Sequence, residues 1–185
     1  IGFDPKLFTK KTLSIFFGKN NCKYKPLYNN LIDEIWKRKI ITTKDKFYSL
    51  PKYSVGDNYK SKINKIASHL KRRKADFQFI TASENNAWLL NIRGRDTKYA
   101  PIPYSYILID KDKNIKFFCD FKKITSSLKK NLNKIKFNKI ETTGKILSEI
   151  KNKKFIIDKN SCSFYFENII LKNNKILNFE DPIYF

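Results

Sequence analysis

The 185-residue chain contains no methionine at all, although translation starts with one, and this marks it as processed or cut from a longer protein. Histidine is almost as scarce, with His69 the only one. A single imidazole without partners cannot build a histidine-based metal centre, and His69 reads as a residue flanking a helix's apolar stripe. The three cysteines, Cys22, Cys119 and Cys162, are an odd number without a CxxC spacing. They suggest neither a disulfide framework nor a zinc knuckle, so they read as small buried hydrophobes in a reducing, cytoplasmic setting. No stretch approaches the roughly 20 apolar residues needed to span a bilayer.

Cations, by contrast, are abundant. Lysine and arginine total 39 against 17 acidic residues, a formal charge of +22, yet only five of the 39 are arginine. Such a field attracts polyanions, and a basic nucleic-acid-binding module is the alternative it raises. The lysines are spread through nearly every block of ten, among many Asn, Ile, Phe and Tyr, residues that share A- and T-rich codons with Lys. A coding bias therefore accounts for the charge without a nucleic-acid partner. Hydrophobic residues make up 41% of the chain, enough for a core in one ordinary domain.

Periodicity places the elements. "IGFD" reads as a strand, the apolar residues from Leu7 to Phe17 as a helix, "CKYKPLY" as extended, and "NNLIDEIW" as a short helix capped by Asn30. Residues 39 to 56 lack periodicity and read as a linker or strap. The spacing of Tyr59, Ile63, Ile66, Ala67 and Leu70 predicts an amphipathic helix, with Asp57 as its cap and "KRRK" at its end, where cations suit the macrodipole. "FQFIT" reads as a strand and "SENNAWLLN" as a helix capped by Ser83. "YSYILIDKDKNIKFFCD" reads as a hairpin. Helices near 122–132 and 143–151 alternate with strands near 134–138, at "KFIID" and at "KILNF". The expected class is α/β, a mixed β-sheet with helices on both faces.

The strand-helix-strand at the start, ending its first strand in Asp4, repeats in the unit from "FIID" to "KILNF". The expected organisation is 1–38 as the closing unit of a preceding similar domain, 39–56 as linker, and 57–185 as a second domain. Between its helix and its hairpin stands "AWLLNIRGRDTKYAPIPYSY". The apolar residues Trp88, Leu89, Leu90 and Ile92 are expected to plug the core. Gly94 is expected to allow a turn closed to other residues, and Arg93 to form an ion pair with Asp96.

This stretch resembles the pattern AWLLNxRGSDxxYxPxxxSYxxV of the three-domain Xaa-Pro aminopeptidases of the creatinase and prolidase superfamily. Ala87, Trp88, Leu89, Leu90, Asn91, Arg93, Gly94, Asp96, Tyr99, Pro101, Ser105 and Tyr106 carry the match. The chain departs from the pattern at Arg95, and at Ser83 to Asn86 just before it. The resemblance implies a creatinase N-terminal-like middle domain, non-catalytic, without a metal or cofactor of its own. Its partners would be a preceding N-terminal domain and a C-terminal pita-bread catalytic domain of the same chain, in a homodimer. That absent domain would hold two divalent ions, usually manganese, on two Asp, one His and two Glu. The parent enzyme would remove the N-terminal residue from peptides with proline second. Arg93, Gly94, Asp96 and Tyr99 would then form a substrate-access loop at the mouth of its active site.

Overall fold

The computed structural model describes residues 1–19, 22–36 and 43–182. Its centre is a six-stranded mixed sheet, built from β4 (Phe77–Ile80), β6 (Tyr106–Asp110), β7 (Ile115–Cys119), β8 (Ile135–Lys139), β9 (Lys154–Ile157) and β10 (Lys175–Asn178). The order is β10-β9-β4-β6-β7-β8. Both β4–β6 and β6–β7 pair antiparallel, whereas β10–β9, β9–β4 and β7–β8 pair parallel.

Alternation along the strands explains why helices cover both faces. Ile80, Ile107, Ile109, Phe117, Cys119 and Ile156 point into one apolar cluster, with α3 (Tyr59–Arg72), α4 (Ser83–Leu90) and α5 (Ser126–Asn131). Their neighbours Phe79, Leu108, Phe118, Phe155 and Ile157 point into a second, with α6 (Thr143–Glu149) and α7 (Phe164–Leu171). A strand buried on both faces must be apolar at successive positions, which is what runs such as "YILID" and "KFII" supply. The hairpin is as expected: Asp110 accepts from the N–H groups of Asp112 and Asn114, both at 2.9 Å, and Lys113 takes a left-handed φ of 71°.

Helix α3 buries Ile63, Ile66, Ala67 and Leu70, the expected face. Its cap is Asn58 rather than Asp57. Asn58 Oδ1 accepts from Ser61 N–H at 2.9 Å, while Asp57 reaches back along the surface to Lys65. The difference is one residue of register: Asn58 has the extended backbone that aims its oxygen at the third helical N–H. The helix ends in a Schellman arrangement, Ala75 N–H to Leu70 C=O and Lys74 N–H to Lys71 C=O, with Lys74 left-handed at φ 52°. His69 is buried, not flanking: its ring lies 5.5 Å from that of Phe179 and near Arg72. Burial and the two guanidinium groups of Arg72 and Arg73 hold its pKa below the ordinary value. Cys119 and Cys162 are buried as expected, but Cys22 is exposed.

The first 36 residues form β1 (Gly2–Phe3), α1 (Lys10–Phe17), β2 (Lys25–Pro26) and α2 (Leu31–Ile35), with β1 and β2 parallel in a sheet of their own. This strand-helix-strand unit and β9-α7-β10 share details. Asp4 and Asp158 end their strands, and each accepts from the N–H two residues on. Each then ties down the segment after the next strand, Asp4 through Asn30 and Asp158 through the N–H of Asp181. Five residues after each aspartate stands the helix cap, Thr9 or Ser163. The two units also touch: the first N–H groups of α7, on Phe164 and Tyr165, donate to the carbonyls of Phe8 and Pro5 at 2.7 and 2.8 Å. Orphan donors of one helix are thus satisfied by the loop of the other unit.

Candidate functional site

The loop that carries the sequence pattern begins where α4 stops. Its start is not capped as expected. Ala82 holds the cap position without a side-chain bond, and Ser83 is already helical, its hydroxyl exchanging hydrogen bonds with the backbone of Ser105. Helix α4 is thereby tied to β6 instead of to its own first turn. Leu89, Leu90 and Ile92 are buried in the core. Trp88 is not a plug but a half-buried rim residue: it packs against that cluster with one face under the Lys62 ammonium, 4.2 Å from the ring centroid.

Asn91 ends α4 in the left-handed conformation, φ 54°, which an asparagine tolerates. Its side chain donates to Asp57 C=O at 2.9 Å and accepts from Lys62 Nζ at 2.6 Å. Lys62 also donates to Trp88 C=O at 2.7 Å. Buried on the apolar side of α3, it has a lowered pKa because of desolvation, opposed by Asp57 and reinforced by Arg93.

The expected ion pair between Arg93 and Asp96 is absent. Arg93 Nη1 donates to Ile92 C=O at 2.9 Å and Ala87 C=O at 3.3 Å, so the guanidinium closes the end of α4. Asp96 turns the other way. Its Oδ2 accepts from Tyr104 N–H at 2.7 Å, and its Oδ1 accepts from the buried Lys123 ammonium and from Thr43 Oγ1 at 3.3 Å. The two side chains are three residues apart, yet Arg93, at the end of β5 (Ile92–Arg93), bonds back to α4 and Asp96 bonds to Tyr104 and Lys123. Gly94 also has another reason than the one expected. Its φ is not positive; instead a Cβ there would stand 2.9 Å from the Phe47 ring and from Pro103 Cα. The glycine is a close approach, not a turn.

Phe47 explains that approach. Residues 43–56 of the stretch read as a linker run against the loop, and Phe47 is 1% exposed. Next to it β3 (Tyr48–Ser49) pairs antiparallel with β5. Beyond Gly94 the loop folds on itself through Gly94 N–H to Pro101 C=O and Asp96 N–H to Ile102 C=O, both 3.2 Å, and ends in a tip at Thr97–Ala100. Tyr99 stands on that tip, 89% exposed, and Arg95 is exposed beside it. The four residues of the expected access loop therefore divide: Arg93, Gly94 and Asp96 are anchors, and Tyr99 alone is presented outward.

Sequence reasoning missed Lys62 and Lys123. Lys123 lies 27 residues from Asp96, and nothing local announces it. Lys62 was visible: three residues after Tyr59 and four before Ile66, it stands on the apolar stripe, where a lysine needs an internal partner.

No group of three or more His, Cys, Asp or Glu side chains among the described residues could hold a metal ion. His69, beside Arg72 and Arg73, offers a cation a repulsive setting. The described residues do not fit a two-metal centre.

The geometry can be set beside known proteins. The profile of the Creatinase/Prolidase N-terminal domain matches residues 39–185, and the chain belongs to that family. A probable Xaa-Pro aminopeptidase P of Aspergillus niger is 30% identical over 159 residues, 82% of this chain and 26% of its own length. Xaa-Pro aminopeptidase app-1 of Caenorhabditis elegans is 30% identical over 155 residues, 82% of this chain and 25% of its own. Among solved structures, an X-prolyl aminopeptidase from Caenorhabditis elegans, described as a cytosolic enzyme with a di-nuclear active site, superposes with a TM-score of 0.85. It is 22% identical, and the match covers 98% of this chain and 31% of that one. The fold is that of a creatinase N-terminal-like domain, and the chain spans about a quarter of the length of the curated relatives named here. No helix among the described residues is long and apolar enough to cross a membrane.

Proposed function

We propose that this chain is the non-catalytic middle domain of a metal-dependent Xaa-Pro aminopeptidase, which removes the N-terminal residue from peptides with proline in second position. Family membership carries the reading, and the names of the relatives supply the activity. The two metals, manganese by the family's habit, would be held by a catalytic domain of the same chain, as the di-nuclear site of the worm enzyme suggests. The description of the same neighbour as a cytosolic enzyme supports a cytosolic location. Residues 1–38 would close a preceding domain and residues 39–56 would link it to the domain at 57–185. The large apolar side chains left exposed on the first unit, Leu7, Ile15, Phe16, Leu31, Ile32 and Ile35, suit a surface that packs on further chain.

In this reading the loop from Arg93 to Tyr99 supports subunit assembly in a homodimer and borders access to the active site, with Tyr99 as its contact. The test is Tyr99→Ala in the full-length protein. Because Tyr99 touches little within this domain, the melting temperature should hold. Meanwhile kcat/KM for a longer X-Pro peptide should fall more than for a dipeptide, since only the longer substrate reaches the rim. Equal effects on both substrates, or none, would remove the access role. The domain alone, loaded with manganese, should release nothing from an X-Pro peptide; release by a pure sample would overturn the non-catalytic assignment.

A further inference from the structure

Two buried charges of the protein have an opposite charge beside them. Lys123 has Asp96, and the buried carboxylate of Glu167 has Lys10 at 3.1 Å. The buried Lys62 and the half-buried Arg93 do not. Among the described residues neither has a carboxylate within ion-pair distance, although Lys62 is 5% exposed and the two cations repel each other. Their partners are carbonyl and amide oxygens, which supply hydrogen bonds but no full negative charge.

Both cations line one cavity of about 390 Å³, between the strap at Leu50 and Val55 and the corner where α3 meets α4, with Trp88 and Asn91 in its wall. Arg93 is engaged through Nη1 only, so Nε and Nη2 keep three of the five guanidinium N–H groups for another acceptor. Asp57 also lines the cavity, with its Oδ2 paired to Lys65 at 2.6 Å. It acts on Lys62 only from a distance.

We infer that this cavity is an anion site, and that it takes a carboxylate held by Lys62 and the free edge of Arg93 against Trp88. A guanidinium fork matches a carboxylate in plane, and an ammonium supplies the second charge. Two cations partly offset by Asp57 balance a single negative charge better than a phosphate dianion. The carboxylate could belong to a peptide terminus or to a free acid. The inference stands on this chain's own residues, independent of the peptidase reading.

The chain has two tryptophans, so Trp36→Phe leaves Trp88 as the sole indole reporter beside the site. In that background, acetyl-glycyl-glycine, its C-terminal amide and sodium acetate are titrated at constant ionic strength made up with chloride. The peptide carboxylate should shift Trp88 emission saturably and the amide should not. Tighter binding of the peptide than of acetate assigns a peptide terminus, and equal binding assigns any small acid. Lys62→Met, checked for fold by circular dichroism, should weaken the midpoint by about tenfold or more, the scale of one charge-assisted hydrogen bond. Arg93→Lys, which keeps the charge but loses the fork, should weaken it by less. The proposal falls if the amide matches the carboxylate, if chloride alone reproduces the shift, or if folded Lys62→Met keeps the midpoint. Should Lys62→Met not fold, an unchanged midpoint in Arg93→Lys has the same force.

Discussion

Gly94 shows how much a single hydrogen atom in place of a methyl group decides. Its α-carbon faces the Phe47 ring and Pro103 Cα so closely that Gly94→Ala must displace either a fully buried ring or a backbone. We expect a loss of about 1–3 kcal/mol, the usual cost of overpacking, read from denaturant midpoints. Ile66→Ala removes a side chain that is 1% exposed at the centre of α3 and should cost about 2–5 kcal/mol. Lys65→Ala, one position away on the exposed face, should leave the melting temperature nearly unchanged. Equal effects at both would contradict the burial pattern. Single residues are also where the sequence was least legible. The apolar stripe of α3 announces Ile66 without ambiguity, because periodicity is a local property. The partners of Arg93 and Asp96 depend on what the rest of the chain brings alongside, so sequence proximity suggested a pair that the fold separates.

At the scale of elements, pattern did better than punctuation. The alternation of apolar runs and helical stripes gave every strand of the central sheet, since both arise from which faces are buried. Helix starts were harder: whether Asp57 or Asn58, or Ala82 or Ser83, takes the cap position depends on backbone torsion and on distant partners such as Ser105, which composition does not encode. The segment after β10 makes a testable case of an element held by polar contacts. Asp181 is fully buried, accepts from Asn85 Nδ2 at 2.7 Å, and donates its N–H to Asp158. Burial first raises its pKa from 3.8 to about 7, against the hydrogen bond from Asn85 and with Asp158 and Glu84 adding to the rise. The folded state thus holds this proton more tightly than the unfolded chain. The contribution is fully present below about pH 4 and is lost as pH rises to about 7. Melting curves should therefore decline across that window, and Asp181→Asn, which mimics the neutral form, should flatten the decline. At pH 8 the variant should be more stable than the parent chain, on the order of 2–4 kcal/mol. A variant that declines as steeply as the parent would show that another group governs the profile.

For the whole molecule, the contact between the two strand-helix-strand units predicts dependence, not independence. Deleting residues 1–9 would strip the carbonyls of Pro5 and Phe8 from the first turn of α7 and uncover Phe164, whose ring packs edge-on to Phe3 at 5.1 Å. We expect a lower melting temperature and faster amide exchange in α7, beyond the loss expected in α1 and β2, which the deletion leaves without their cap and their partner strand; hydrogen exchange measures both.

The strand order has a further consequence, for the time at which the protein becomes whole. Strand β4 sits inside the sheet, with Phe77 opposite Asp110 on one side and Phe155 on the other. During synthesis its first neighbours, the hairpin of β6 and β7, emerge soon after it, whereas β9 leaves the ribosome several seconds later at about 5–20 residues per second. In that interval a bare edge with Phe77 and Phe79 above it is open to any passing strand. A nascent chain stalled before Lys154 should therefore be a chaperone client, and one stalled well beyond Asn178 should not.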